Sequence, residues 1–210
     1  MCLVLLVALT GAALSAELKH STVSRSDSET TVPRYRAEVE VLLAIPIEQV
    51  RSMLENPVAF SRLNPAIYSI EQLPGEIRDD QIRVRIRTVV CVLLFCVDYT
   101  NVADVAFVSA DKLTMAVLPA LSDFSYGQST WRINRVDAGT TRLRYHTEIE
   151  PSFWVPPIIG IPLMEQRLGE IAAETAQAME CQFRAAAVCA KPGNHDPAPS
   201  GYDDQTPPWD

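Results

Sequence analysis

The sequence predicts an α+β domain in which seven antiparallel strands, with two short helices after the first, precede one long C-terminal helix. Three observations carry this. Seven segments show the period-2 alternation of half-buried strands. The connections between the last six are short and hold turn chemistry, as in Pro74-Gly75 and Asp137-Ala138-Gly139, which joins them as a meander. The final periodic segment switches to helical spacing. With 210 residues and 48% apolar composition, the chain can bury one substantial core. Its net charge of -8 argues against sequence-independent nucleic-acid binding, which needs clustered Lys and Arg.

Taken in order, residues 1–16 (MCLVLLVALTGAALSA) form an uncharged apolar run that ends in small residues and is too short to span a bilayer comfortably. They read as a secretory signal peptide cleaved near Ser15 or Ala16, although no Lys or Arg precedes the run. A lipoprotein would need cysteine at the cleavage point, and Cys2 lies before the apolar stretch. Residues 17–31 are polar and Ser/Thr-rich and read as a flexible leader. Residues 32–189 form the folded domain. Residues 190–210 are rich in Pro and Asp with almost no aliphatic side chain, a composition too polar to offset chain entropy, so they read as a disordered tail.

Within the domain, residues 35–43 alternate, with Ala37, Val39, Val41 and Leu43 on one face and Arg36, Glu38 and Glu40 on the other. Pro46-Ile47-Glu48 opens a short helix holding Val50, Met53 and Leu54, and a second helical turn follows Asn56-Pro57. Strands follow over 68–73, 81–91, 96–107, 113–118, 126–136 and 141–150. The last element, 162–187, places Met164, Leu168, Ile171, Ala178 and Phe183 at helical spacing. Pro162 at its start and Glu165 in its first turn suit a helix N-terminus.

From VLLAIPIEQVRSMLENPVAFSRLNP through SDFSYGQSTWRINR to the final helix, the chain resembles the START, Bet v 1 and polyketide cyclase superfamily. The likeness covers nearly the whole domain and rests on element order and a diffuse pattern, without a catalytic signature. It implies the helix-grip fold, a curved antiparallel sheet wrapped around the C-terminal helix, with a ligand cavity between them. Some members of that superfamily cyclise or dehydrate polyketides, using placed Tyr, Arg or acid groups.

Five cysteines occur, and loss of Cys2 with the signal leaves an even four, which in an exported chain suggests disulfides. Cys91 and Cys96 bracket Val92-Leu93-Leu94-Phe95, and as a hairpin loop these four residues would set the two sulfurs opposite each other. Two reduced cysteines in a strand are the alternative, and no histidine is near enough to complete a metal site. The register that follows puts Arg83 opposite Asp104, Arg85 opposite Val102 and Val89 opposite Asp98. Ile82, Val84, Ile86, Thr88 and Val90 then share the concave face with Val105, Ala103, Asn101, Tyr99 and Val97. Continuous helix would hold Cys181 and Cys189 about 12 Å apart. They pair with each other only if the chain turns back after Ala187; otherwise a free thiol or an intermolecular bond results.

Successive loops of a meander alternate between the two ends of the sheet, so the 91–96 tip, residues 119–124 (PALSDF) and residues 151–161 (PSFWVPPIIGI) should gather at one end. They are apolar for loops. Leu93, Leu94, Phe95, Phe153, Trp154 and Ile158 are the candidate entrance, suited to shallow membrane contact; the absence of a basic cluster argues against strong attraction to anionic lipid. Burial of these side chains over the cavity is the competing reading.

Catalytic constellations are scarce. His20 and His195 fall in the predicted flexible ends, and His146 shares an outer strand face with Arg144 and Glu148. HExxH, GxSxG, P-loop and GxGxxG motifs are absent. Glu148 and Glu150 read as solvating the outer face, and Arg83, Arg85, Arg87, Arg132, Arg142 and Arg144 fall outside by parity, unless a bulge inverts it. Thr88, Tyr99, Asn101, Ser129, Tyr145, Thr147 and Thr175 fall inward among Met115, Trp131 and Ile171. Thr88, Tyr99, Asn101, Met115, Trp131, Tyr145, Ile171 and Thr175 are therefore the candidate ligand contacts. A mostly apolar cavity with a few hydroxyls and an amide orients a lipid or polycyclic ligand.

The expected function is a periplasmic or secreted, monomeric carrier or binding protein for a hydrophobic small molecule, whether lipid, sterol-like or quinone-like. It needs no metal, cofactor or nucleic acid. The alternative is a polyketide cyclase or dehydratase acting in the same cavity.

Overall fold

The computed structural model describes residues 16–26, 33–74, 81–92, 94–155 and 160–184. Its strands are β1 (Glu17–Ser26), β2 (Arg34–Leu43), β3 (Ile67–Leu73), β4 (Gln81–Val92), β5 (Phe95–Ser109), β6 (Lys112–Val117), β7 (Phe124–Arg135) and β8 (Thr141–Pro151). The helices are α1 (Ile47–Leu54), α2 (Pro57–Phe60) and α3 (Ile161–Phe183). One antiparallel sheet runs in the order β1-β2-β8-β7-β6-β5-β4-β3. The hairpin meander of the sequence reading is present, with the chain crossing from β3 at one edge to β8, which pairs with β2.

The sheet has eight strands rather than seven. The extra one, β1, lies where the polar composition of residues 17–31 predicts a flexible leader, so that expectation is corrected over 17–26. β1 carries no apolar alternation beyond Leu18 and Val23 and is held by tertiary contacts. Its backbone pairs with β2 from Glu17↔Leu42 to Ser26↔Arg34. Leu18 packs on the core, and the Val23 N–H donates to the Glu165 carboxylate of α3 at 3.2 Å. Glycine at 169 makes the close approach possible, because a Cβ there would stand 3.0 Å from Ser21 Oγ and 3.3 Å from Leu18 Cδ2. Glu165 therefore lies past the first turn of α3 and serves β1, not the helix N-terminus. Residues 1–15 of the signal segment and the C-terminal tail lie outside the described residues, whereas Ala16 packs on the core.

The core sits at one end, where β2, α1, β7, β8 and the C-terminal half of α3 meet. Leu43, Ile45, Val50 and Met179 are fully buried there, and each contributes about 1.5–3 kcal/mol by leaving water. Two polar contacts close this end: Thr141 Oγ1 donates to the Ile45 carbonyl at 2.6 Å, and the Ala44 N–H donates to the buried Glu180 carboxylate at 2.6 Å. A second cluster, Val84, Val105 and Leu113, lies on the concave face of the far half of the sheet. The interior between these two clusters is left open.

The β4/β5 register is the expected one, with Arg83↔Asp104, Arg85↔Val102, Val89↔Asp98 and Cys91↔Cys96. The outer face is a ladder of ion pairs: Arg83 grips Asp104 through two bonds of 2.7 and 2.9 Å, Arg85 meets Glu71 at 2.8 Å and Arg87 meets Asp98 at 2.9 Å. Arg142 and Arg144 converge on Glu40 at 3.0 and 2.5 Å; the Arg144 hydrogen bond comes first among the causes that lower the Glu40 pKa. Exposed pairs of this kind add little stability, but a one-residue slip would bring these charges to the concave face, so they specify register. Parity breaks at Ser125, a bulge between Phe124↔Pro151 and Tyr126↔Glu150. It brings Phe124 inward. Glu150, expected to solvate the outer face, is instead buried and accepts from Ser125 Oγ at 2.9 Å and Arg34 Nη2 at 3.2 Å, with the Arg34 guanidinium 4.1 Å over the Tyr126 ring.

Candidate functional site

A cavity of about 470 Å³ lies between the concave face of the sheet and α3, large enough for a drug-sized ligand. Every strand contributes to its wall, because period-2 alternation aims every second residue of a strand inward. α3 adds a helical stripe of Met164, Leu168, Ile171 and Thr175, and α2 closes one side with Pro57 and Phe60. Thr88, Tyr99, Asn101, Met115, Trp131, Tyr145, Ile171 and Thr175, the residues that parity and helical spacing direct inward, all line it.

The wall is apolar with a small set of polar groups, all uncharged except Arg167. Ser129 Oγ lies 2.7 Å from Thr147 Oγ1 and 3.4 Å from the Tyr145 hydroxyl, and Thr147 Oγ1 donates to the Gln128 carbonyl at 3.2 Å. Tyr99 bonds to Thr88, yet its phenol is pushed up to about 12, first by burial and then by the neighbouring Tyr145. It stays protonated and neutral at physiological pH. Thr175 Oγ1 donates to the Ile171 carbonyl at 2.7 Å, so its hydrogen is used inside the helix. Asn101 is only 8% exposed, and its Oδ1 is buried with no hydrogen-bond partner. Trp131 and Tyr145 pack with centroids 4.8 Å apart.

Several lining residues escape the sequence reading, among them Asn64 before β3, Val23 and Arg167. Val23 comes from β1, which composition hid. Arg167 is 14% exposed in its side chain and pairs with Glu170 at 3.1 Å. Its signal was available: it lies three residues after Met164 and four before Ile171, on the inward stripe of α3.

At the mouth, the Ser152 N–H donates to the Asp123 carbonyl and the Asp123 N–H to the Thr100 carbonyl, both at 2.9 Å. The Thr100 N–H returns to the Asp123 carboxylate at 2.7 Å. These bonds join the β6–β7 loop, the β8–α3 connection and β5. Tyr99, Phe124 and Phe153 form an aromatic cluster with centroid spacings of 5.0, 5.9 and 5.7 Å, so Phe153 turns inward and covers the cavity. Trp154 turns outward at 73% exposure and Leu94 stands at 95% on the hairpin tip. The tip is tied by the Cys91–Cys96 disulfide, with Cα atoms 3.9 Å apart. Leu93, the Phe95 side chain and Ile158 lie outside the described residues. Cys181 is disulfide-bonded, and Cys189, its partner only if the chain turns back, also lies outside them.

Among the described residues no group of three or more His, Cys, Asp and Glu side chains could hold a metal ion, and no helix is long and apolar enough to cross a membrane. No protein-family model matches the chain, and neither does any curated protein. Solved structures do. The Zhui aromatase/cyclase from Streptomyces is similar at a TM-score of 0.56 and 17% identity, over 73% of this chain and 98% of that one. A STAR-related lipid transfer protein fragment from Xanthomonas axonopodis is similar at a TM-score of 0.54 and 17% identity, over 81% and 99%. This is the START/Bet v 1 fold. Human STARD10 shares it at a TM-score of 0.56 and 10% identity, over 83% of this chain and 76% of that one. The helix-grip architecture accounts for the cavity's position, since the sheet curls around α3 and the core fills only one end.

Proposed function

We propose that the protein is an exported, monomeric carrier or binding protein for a hydrophobic small molecule, such as a lipid, sterol-like or quinone-like compound. One observation carries the reading: an apolar cavity of about 470 Å³ whose polar lining is hydroxyls, side-chain amides and the single charged side chain of Arg167. Such a wall rewards burial of hydrocarbon and orients one polar end. A solved lipid transfer protein and a solved aromatase/cyclase share the fold, and both kinds of protein are named for hydrophobic or aromatic molecules. Leu94 and Trp154, exposed beside the mouth, support loading from a lipid surface. With a net charge of -8, that contact is driven by apolar insertion and not by attraction to anionic headgroups.

Native mass spectrometry of protein purified from its own host, followed by organic extraction, tests the carrier reading. A co-purifying lipid-like mass supports it, and a cavity empty of any such compound overturns it. The second reading, a polyketide cyclase or dehydratase, draws on Tyr99 and Tyr145, which both line the cavity. The strand arginines such a mechanism could use are engaged on the outer face. Turnover of an aromatic polyketide by the purified protein would decide for the enzyme.

A further inference from the structure

We infer that the cavity selects ligands bearing a hydroxyl group, which donates its hydrogen to the Asn101 side-chain carbonyl. The inference rests on the carrier reading and names the chemistry of the ligand's polar end.

A buried carbonyl oxygen without a donor costs about 1–3 kcal/mol. Among the described residues no donor reaches Asn101 Oδ1. Ser129 and Thr147 are paired at 2.7 Å, and the Thr175 hydrogen goes to its own helix. The Thr88 hydroxyl bonds to the Tyr99 oxygen, which leaves the phenol hydrogen for a ligand. Directly across the β4/β5 ladder from Asn101 stands Ile86, which has no polar atom to offer. The Ser122 hydroxyl serves Val102 on the backbone. Arg167, the charged side chain of the wall, already faces Glu170.

The deficit discriminates among ligands. A ketone, an ether or a carboxylate would bring lone pairs against the Asn101 lone pairs and leave the deficit in place. A hydrocarbon would also leave it in place. A hydroxyl removes it, and its own oxygen is then free to accept from a protein donor such as the neutral Tyr99 phenol on the same inward face of β5. The scaffold that carries the hydroxyl meets the apolar wall.

Three probes substituted at the same carbon isolate this chemistry: phenanthrol, methylphenanthrene and methoxyphenanthrene, titrated into the full chain and read by quenching of tryptophan emission, Trp131 being part of the wall. Phenanthrol is expected to bind about tenfold more tightly than either companion, the ratio that one satisfied buried acceptor supports. Asn101→Leu, close in volume, is expected to bring the three affinities within about twofold of one another, and its binding of methylphenanthrene reports an intact cavity. Equal binding of all three by the wild type, as a resident water on Asn101 would produce, overturns the inference and leaves the carrier reading standing. A phenanthrol preference that survives in Asn101→Leu overturns it too. If none of the three binds, the carrier reading fails, and the inference with it.

Discussion

Replacing Tyr99 with phenylalanine removes a phenol whose ionisation is linked to folding. In the folded chain its pKa is raised from 10.0 to about 12, so the native state holds this proton more tightly than the unfolded state does. Below pH 10 both states are protonated and the stabilisation is fully present; as pH rises from 10 towards 12 the unfolded chain releases a proton the native chain keeps, and stability falls. With two pKa units between the states, the loss approaches about 2–3 kcal/mol and amounts to about 2 kcal/mol near pH 11.5. Tyr99→Phe escapes this loss and gives up only the hydrogen bond with Thr88, about 1 kcal/mol at every pH. The two proteins should therefore cross: wild type more stable by about 1 kcal/mol near pH 8, the variant more stable by about 1 kcal/mol near pH 11.5. Urea unfolding followed by tryptophan fluorescence at both pH values measures the difference, and alkaline effects common to both proteins cancel. A gap that stays constant between the two pH values would refute the linkage of Tyr99 to folding, and with it the assignment of a phenol kept neutral inside the cavity.

Two further outcomes test other parts of the molecule. Leu94→Asp combined with Trp154→Asp should lower liposome association at least tenfold in a flotation assay, because a single inserted Leu or Trp is worth about 1.5–3 kcal/mol; unchanged partitioning would rule out this rim as the docking surface. Gly169→Leu puts side-chain atoms where Ser21 and Leu18 already stand, so β1 should detach and residues 17–26 should exchange amide hydrogens rapidly, while the remaining sheet keeps its protection. Continued protection of β1 would contradict the account of what holds it.

The cavity wall was legible in the sequence because β4, β5, β7 and β8 alternate cleanly. Charges on one face and apolar or hydroxylated residues on the other place Thr88, Tyr99, Asn101, Tyr145 and Trp131 without any coordinates. The hairpin disulfide was legible from two cysteines that bracket a four-residue tip, and the register that follows from it sets Arg83 opposite Asp104. Glu150 was misplaced because its burial depends on the Ser125 bulge and on Arg34 arriving from β2, two features with no local signature.

Alternation, turn chemistry and helical spacing, all properties of neighbouring residues, thus determined the order of elements, the concave face and the chemical character of the cavity. Tertiary structure alone decided three other things. It recruited β1, whose polar sequence gains a strand's hydrogen bonds only because β2 offers an edge and glycine at 169 leaves room. It divided the apolar loops at the mouth between Phe153, which turns in, and Trp154, which turns out. And it left Asn101 Oδ1 without a donor, because whether a buried acceptor is met depends on partners distant in the chain that converge on it only after folding.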